Sequence, residues 1–284
     1  MPFTTLISTA DLAPHLADPQ WVVVDCRFDL ANPGWGEEQY RAAHLPGAIY
    51  AHLDRDLSGP KTGKNGRHPL PDMEQFKTRL GQWGIGPEAQ VVAYDQNSGM
   101  WASRLWWMLK YLGHEAVAVL DGGIAKWLQE GRPVKGGWET RVPAQFVGSP
   151  REALRVEAEA VGRLRADPAY RLIDSRAPER YRGDVEPLDP VAGHIPGAVN
   201  LYNLSNVNPD GTFRAPEALR AKFRAMLGDV PASNAITYCG SGVAAAHNIL
   251  AMEVAGLPGA RVYAGSWSEW CSDPARPVAK GDEA

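Results

Sequence analysis

Short runs of β-branched and other apolar residues alternate along this chain with longer stretches of helical periodicity. Residues 22–25, 91–95 and 116–120 read as buried strands bounded by turn residues. Residues 72–83, 98–112 and 123–130 place apolar side chains at helical spacing and are followed by Gly or Pro. Strands that alternate with helices imply a mainly parallel sheet with helices on both faces, an α/β architecture.

The pattern occurs twice. VVVDCR at 22–27, RAAHLPGA at 41–48, VVAYD at 91–95 and LDGGIAKW at 120–127 are answered in order by RLIDSR at 171–176, AGHIPGAVN at 192–200, AITYC at 235–239 and YAGSWSEW at 263–270. One fold used twice accounts for a length of 284 residues, too long for a single minimal core. Between the copies, 131–150 is rich in Gly and Pro and has no periodicity. The expected domains are 1–135 and 151–284, with 136–150 as the linker.

Composition narrows the function classes. Lys+Arg total 29 against 33 Asp+Glu, a net charge of −4, so the broad attraction that carries nonspecific binding to nucleic acid is missing. A mean hydropathy of −0.30 and the lack of any apolar run of about 18 residues leave nothing to span a bilayer as a helix. The first basic residue is Arg27, which fits neither a secretory signal nor an Arg-rich transit peptide, and a cytoplasmic protein is expected. Cys26, Cys239 and Cys271 are too few for a disulfide framework and lack zinc-ligand spacing, so each is a small buried residue or a reactive thiol.

Where the copies diverge, chemistry is expected. The first continues from its strand as Asp95-Gln-Asn-Ser-Gly, the second as Cys239-Gly-Ser-Gly-Val-Ala. A cysteine at the carboxyl end of a parallel strand, before a Gly-rich loop and a helix, stands where open α/β sheets place ligands. Backbone N–H groups of such a loop favour an anion and activate a thiol. This combination favours a reactive thiolate at Cys239, whereas Cys26 and Cys271 read as structural.

These residues resemble the rhodanese superfamily, and within it the tandem-domain thiosulfate and mercaptopyruvate sulfurtransferases. The Asp-x-Arg, His-x-Pro-Gly-Ala and strand-end Cys motifs recur in the family's order from residue 22 to 270. The resemblance implies two tandem rhodanese-like domains, the first inactive and the second carrying a persulfide on Cys239. It implies a donor loop formed by Gly240, Ser241, Gly242, Val243 and Ala244, whose uncharged Gly-Ser-Gly-Val core is of the mercaptopyruvate type. It also implies a Ser241-His68-Asp54 proton relay and a donor-binding Arg180. Taken alone, His68 reads as a solvated loop histidine, Asp56 competes with Asp54, and Arg180 is open to a surface salt bridge. A second substrate arginine is expected after Glu186-Pro187, where this chain has Leu188. On the loop type the donor expected is 3-mercaptopyruvate, with thiosulfate as the alternative that Leu188 keeps open. The acceptor is expected to be cyanide, a small thiol or a thioredoxin-like protein, and the chemistry requires no cofactor or metal.

Other prominent residues carry blander expectations. His44 and His194 occupy equivalent positions in both copies and read as structural, as do the pairs Asp25/Arg27 and Asp174/Arg176. His247 faces either core or cleft, Arg182 suits a surface ion pair, and Trp35 and Trp267 are candidates for cleft walls. A phosphatase of related fold requires an Arg closing the cysteine loop, but position 245 is Ala. A noncatalytic sulfur-carrier module would typically have lost the thiol.

Overall fold

A computed structural model describes residues 1–282. The chain divides into two compact units, the first comprising Met1–Gly59, Leu70–Arg151 and Val207–Phe213, the second Pro60–Pro69, Glu152–Asn206 and Arg214–Ala284. Each half of the sequence thus contributes one short loop to the other unit.

The first unit contains strands β1 (Leu6–Ile7), β2 (Trp21–Asp25), β3 (Ile49–Tyr50), β4 (Gln90–Tyr94) and β5 (Val117–Leu120). Its helices are α1 (Thr9–Leu12), α2 (Trp35–Ala42), α3 (Met73–Gln82), α4 (Ala102–Tyr111) and α5 (Gly123–Gln129). The second repeats the set as β6 (Arg155–Val156), β7 (Arg171–Asp174), β8 (Ala198–Asn200), β9 (Ala235–Tyr238) and β10 (Arg261–Tyr263). Its helices are α6 (Ala158–Leu164), α7 (Pro178–Arg182), α8 (Pro216–Leu227), α9 (Ala244–Val254) and α10 (Ser266–Trp270).

Both sheets are parallel, with orders β1-β5-β4-β2-β3 and β6-β10-β9-β7-β8, the same topology twice. The central strands β4 and β9 are buried along their whole length, as uniformly apolar strands covered on both faces must be. The helices that follow them, α4 and α9, are buried on nearly every side. Outer helices are anchored by local chemistry. The Asp72 side chain caps α3 by accepting from Gln75 N–H (2.9 Å), while Phe76 and Leu80, one turn apart, face the core.

Three details depart from the sequence reading. Helix α4 starts at Ala102 rather than 98, because the Asp95 carboxylate draws residues 96–101 around itself. Trp267 lies in the core of the second unit with no exposure, its indole N–H donating to Val191 O (2.9 Å), and so is no cleft wall. The two-residue strands β1, β3 and β6 are too short to leave a pattern.

Among the described residues, no helix is long and apolar enough to cross a membrane.

Candidate active site

In the second unit, β9 ends at Tyr238 and α9 begins at Ala244, and the intervening turn holds Cys239, Gly240, Ser241, Gly242 and Val243. The turn folds back so that two backbone N–H groups point at sulfur: Ser241 N lies 3.4 Å and Gly242 N 3.1 Å from Cys239 Sγ. Such groups stabilise negative charge on sulfur. Gly242 is in the left-handed region (φ +77°), and a Cβ there would stand 2.3 Å from Ala264 O, so the turn closes only around glycine.

The start of α10 supports the turn from behind. Trp267 and Ser268 N–H donate to Cys239 O (2.9 Å) and Gly240 O (3.0 Å). Ser266 Oγ accepts from Cys239 N–H (3.1 Å) and donates to Tyr263 O (2.9 Å). Ser266 is the one described residue other than glycine with positive φ (+57°), a conformation that costs of order 1 kcal/mol and is held by those bonds. No sequence pattern marked it. In the first copy the equivalent residue, before the shared Ile/Trp-x-x-Trp, is Gly123 at φ +56°.

The loop Pro60–Pro69 brings two further side chains to this turn. His68, 4% exposed, has Nδ1 2.7 Å from Ser241 Oγ. It is therefore a buried partner of Ser241, unlike the solvated loop histidine that its setting in the sequence describes. Arg67 was not singled out by the sequence at all. Its N–H donates to Ser268 Oγ (3.0 Å), and its guanidinium sits so close to Gly240 that a Cβ there would stand 2.7 Å from Nη2.

Arg180 approaches the same glycine, with both terminal nitrogens 3.6 Å from that Cβ position. It is paired with Glu186 (2.6 Å) and Asp189 (3.4 Å), yet its side chain is 18% exposed, intermediate between a buried brace and a surface ion pair. Arg182 forms the expected exposed pair with Asp184 (2.7 Å). Leu188 is 43% exposed.

Asp54 belongs to the first unit, where its N–H donates to His52 Nδ1 (3.1 Å). There Asp56 accepts from His52 N–H (2.8 Å) and pairs with Arg79 (3.3 Å). The second unit thus brings together Cys239, Ser241, His68 and Arg180 from the expected set.

The remaining candidates occupy structural settings. Burial and the negative charges of Asp25, Asp95 and Asp56 push the Cys26 thiol well above its ordinary value, and burial pushes Cys271 up to about 11. Cys271 packs in the core with Trp267 and Trp270. His44 and His194 point Nδ1 at the carbonyls of Tyr40 (2.7 Å) and Tyr181 (2.8 Å) and stack on those tyrosine rings. Asp25/Arg27 and Asp174/Arg176 are buried pairs whose guanidinium groups also donate to Ala43 O and Gly193 O, each at 2.6 Å. His247 is fully buried, beside Asn206 (3.5 Å).

Comparison with known proteins agrees with this duplicated architecture. The rhodanese-like domain model matches residues 8–130 and again 157–273. A probable 3-mercaptopyruvate sulfurtransferase from Pseudomonas aeruginosa is 45% identical over 279 residues, covering 98% of each chain. A putative thiosulfate sulfurtransferase from Mycobacterium tuberculosis is 37% identical, covering 97% of each. The crystal structure of a 3-mercaptopyruvate sulfotransferase from Escherichia coli superposes with a TM-score of 0.80 at 28% identity, over 93% of this chain and 99% of that one. The chain belongs to the rhodanese family, and within it to the sulfurtransferases built from two rhodanese-like domains in tandem.

Proposed function

We propose that this sulfurtransferase takes sulfur from 3-mercaptopyruvate, holds it as a persulfide on Cys239, and delivers it to cyanide, a small thiol or a thioredoxin-like protein. The observation that carries this reading is the Cys239 sulfur facing two N–H donors, in a turn whose own side chains are uncharged and whose serine is bonded to His68.

In the first half-reaction the Cys239 thiolate attacks the donor sulfur. The S–S bond forms, the donor's C–S bond breaks, and its electron pair becomes the enolate of pyruvate. The proton that left the Cys239 thiol returns to that enolate carbon, and Ser241 with His68 behind it is placed to move it. The donor's own S–H proton stays on the persulfide. In the second half-reaction a nucleophile attacks the outer sulfur, and the thiolate leaves onto the Ser241 and Gly242 N–H groups. In this reading Arg180 would bind the donor's carboxylate, and Val243 and Ala244 would form the turn's far wall.

Thiosulfate is the competing donor. It is favoured by the exposed Leu188 at the position where a second carboxylate-binding arginine is expected. Sulfur transfer to cyanide from the two donors, assayed side by side, decides between them. A kcat/KM advantage of at least about tenfold for mercaptopyruvate is expected, and a thiosulfate advantage would overturn the donor assignment.

A further inference from the structure

We propose that Arg67 is the second guanidinium of the donor site, supplying from the loop Pro60–Pro69 the positive charge that Leu188 does not. The proposal rests on the donor carrying a carboxylate, as proposed above, and it makes Arg67 a specificity-determining residue of the same site.

Four observations converge on it. Arg67 and Arg180 flank the residue next to the nucleophile, their terminal nitrogens 2.7 and 3.6 Å from the place a Gly240 side chain would occupy. The missing side chain at 240 is what lets the two guanidinium groups come this close to the cysteine turn. Next, Arg67 is fixed at its backbone. Gly66 is left-handed (φ +85°) and packed so closely on Gly265 that a Cβ would stand 2.7 Å from its carbonyl oxygen. The Arg67 N–H then bonds Ser268, whose own N–H bonds Gly240 O. The guanidinium is thus indexed to the cysteine turn itself.

Third, Asp189 ties the two cations together, its Oδ1 bonding Arg67 and its Oδ2 bonding Arg180 (3.4 Å), with its side chain 3% exposed. A shared buried carboxylate holds two like charges side by side that would otherwise repel. Glu186 plays the same part between Arg180 and Arg176. Three guanidiniums balanced by Asp189, Glu186 and Asp174 leave the cluster near neutrality, which suits a donor with a single carboxylate better than a dianion. Fourth, Arg67 Nε is buried and has no hydrogen-bond partner among the described residues, a donor left over after Asp189 has been bound.

The test uses 3-bromopyruvate and bromoacetone, haloketones that differ only in a carboxylate replacing a methyl group. Each alkylates a thiolate as the C–S bond forms, the C–Br bond breaks and bromide leaves, so neither requires sulfur transfer. The readout is the ratio of the two rates at Cys239, divided by the same ratio for free glutathione. The wild type is expected to favour bromopyruvate by at least about tenfold, and Arg67→Gln to lose about tenfold of that ratio, with Arg67→Lys keeping part of it. The bromoacetone rate reports whether each variant retains a folded, reactive turn. An unchanged ratio in Arg67→Gln, with Arg180→Gln losing it, would overturn the proposal and leave Arg67 as a brace for Asp189. No bromopyruvate preference in the wild type would overturn the carboxylate-donor reading beneath it, a separate failure.

Discussion

The turns after β4 and β9 are the same device with different contents. In the first unit the Asp95 carboxylate fills the turn. Its Oδ1 accepts from Asn97 (3.1 Å) and Gly99 (2.9 Å), and its Oδ2 from Trp101 (2.8 Å) and Ala102 (3.2 Å). In the second unit a sulfur takes two such bonds, and the turn reaches its helix sooner. Both turns are held at the same point from behind, since Ile124 N–H donates to Asp95 O (3.0 Å) as Trp267 N–H does to Cys239 O (2.9 Å). The family's strand-turn-helix therefore makes an anion-binding nest in either copy. One copy fills its nest with its own carboxyl group, which takes all four N–H bonds. The other turns two N–H groups toward a thiol, the place where the proposed persulfide would form.

The comparison breaks most visibly if the contents are exchanged. Cys239→Asp is expected to fold, because the first copy shows a carboxylate seated on such a nest, and to lose sulfur transfer by at least about a thousandfold. Thermal unfolding with a cyanide assay checks both halves. A variant that fails to fold would mean that the two nests are not equivalent.

Thiol labelling sharpens the contrast among the cysteines. With Cys271 raised to about 11, roughly one molecule in a thousand carries that thiolate at pH 8, and burial holds the Cys26 thiol well above its ordinary value too. Iodoacetamide at pH 8 is expected to modify Cys239 alone by peptide mass mapping. As pH rises toward 11, Cys271 gains thiolate and is expected to join the labelled peptides.

A smaller effect is expected at Ser241, the hydroxyl of the cysteine turn that His68 reaches. Ser241→Ala should lower kcat with mercaptopyruvate by about a hundredfold while persulfide breakdown by cyanide, which needs no enolate protonation, changes far less. Pre-steady-state separation of the two half-reactions measures this. Equal losses in both would remove Ser241 from proton transfer.

The smallest change is expected where the copies differ by one hydroxymethyl group, at Ser266 and Gly123. Ser266→Gly gives the second unit the residue of the first. The two lost bonds, from Cys239 N–H and to Tyr263 O, and the relieved positive φ are each worth about 1 kcal/mol, the bonds opposing the φ. Stability by chemical denaturation should thus fall by about 1 kcal/mol, with kcat/KM falling severalfold as the turn loosens.

Much of the architecture was legible because buried parallel strands write continuous apolar runs, and because duplication let each copy annotate the other. Cys239 stood out since Asp95 occupied its place in the repeat. What escaped the sequence depends on distant parts of the chain meeting. Arg67 and His68 act on a turn more than a hundred positions away, and nothing in a Gly/Lys/Asn-rich loop signals that destination. The one available clue was a basic residue adjoining the histidine already tied to the site by family resemblance. Ser266 was invisible for another reason, since left-handed φ at a serine leaves no compositional trace. The late start of α4 followed from Asp95 outcompeting helical bonding for four N–H groups, a local contest that periodicity does not register.

The most direct test of the account is intact-protein and peptide mass spectrometry after incubation with 3-mercaptopyruvate without acceptor. One added sulfur atom is expected, located on Cys239, removed by cyanide and absent from Cys239→Ser. Sulfur found on Cys26 or Cys271, or continued transfer by Cys239→Ser, would contradict it.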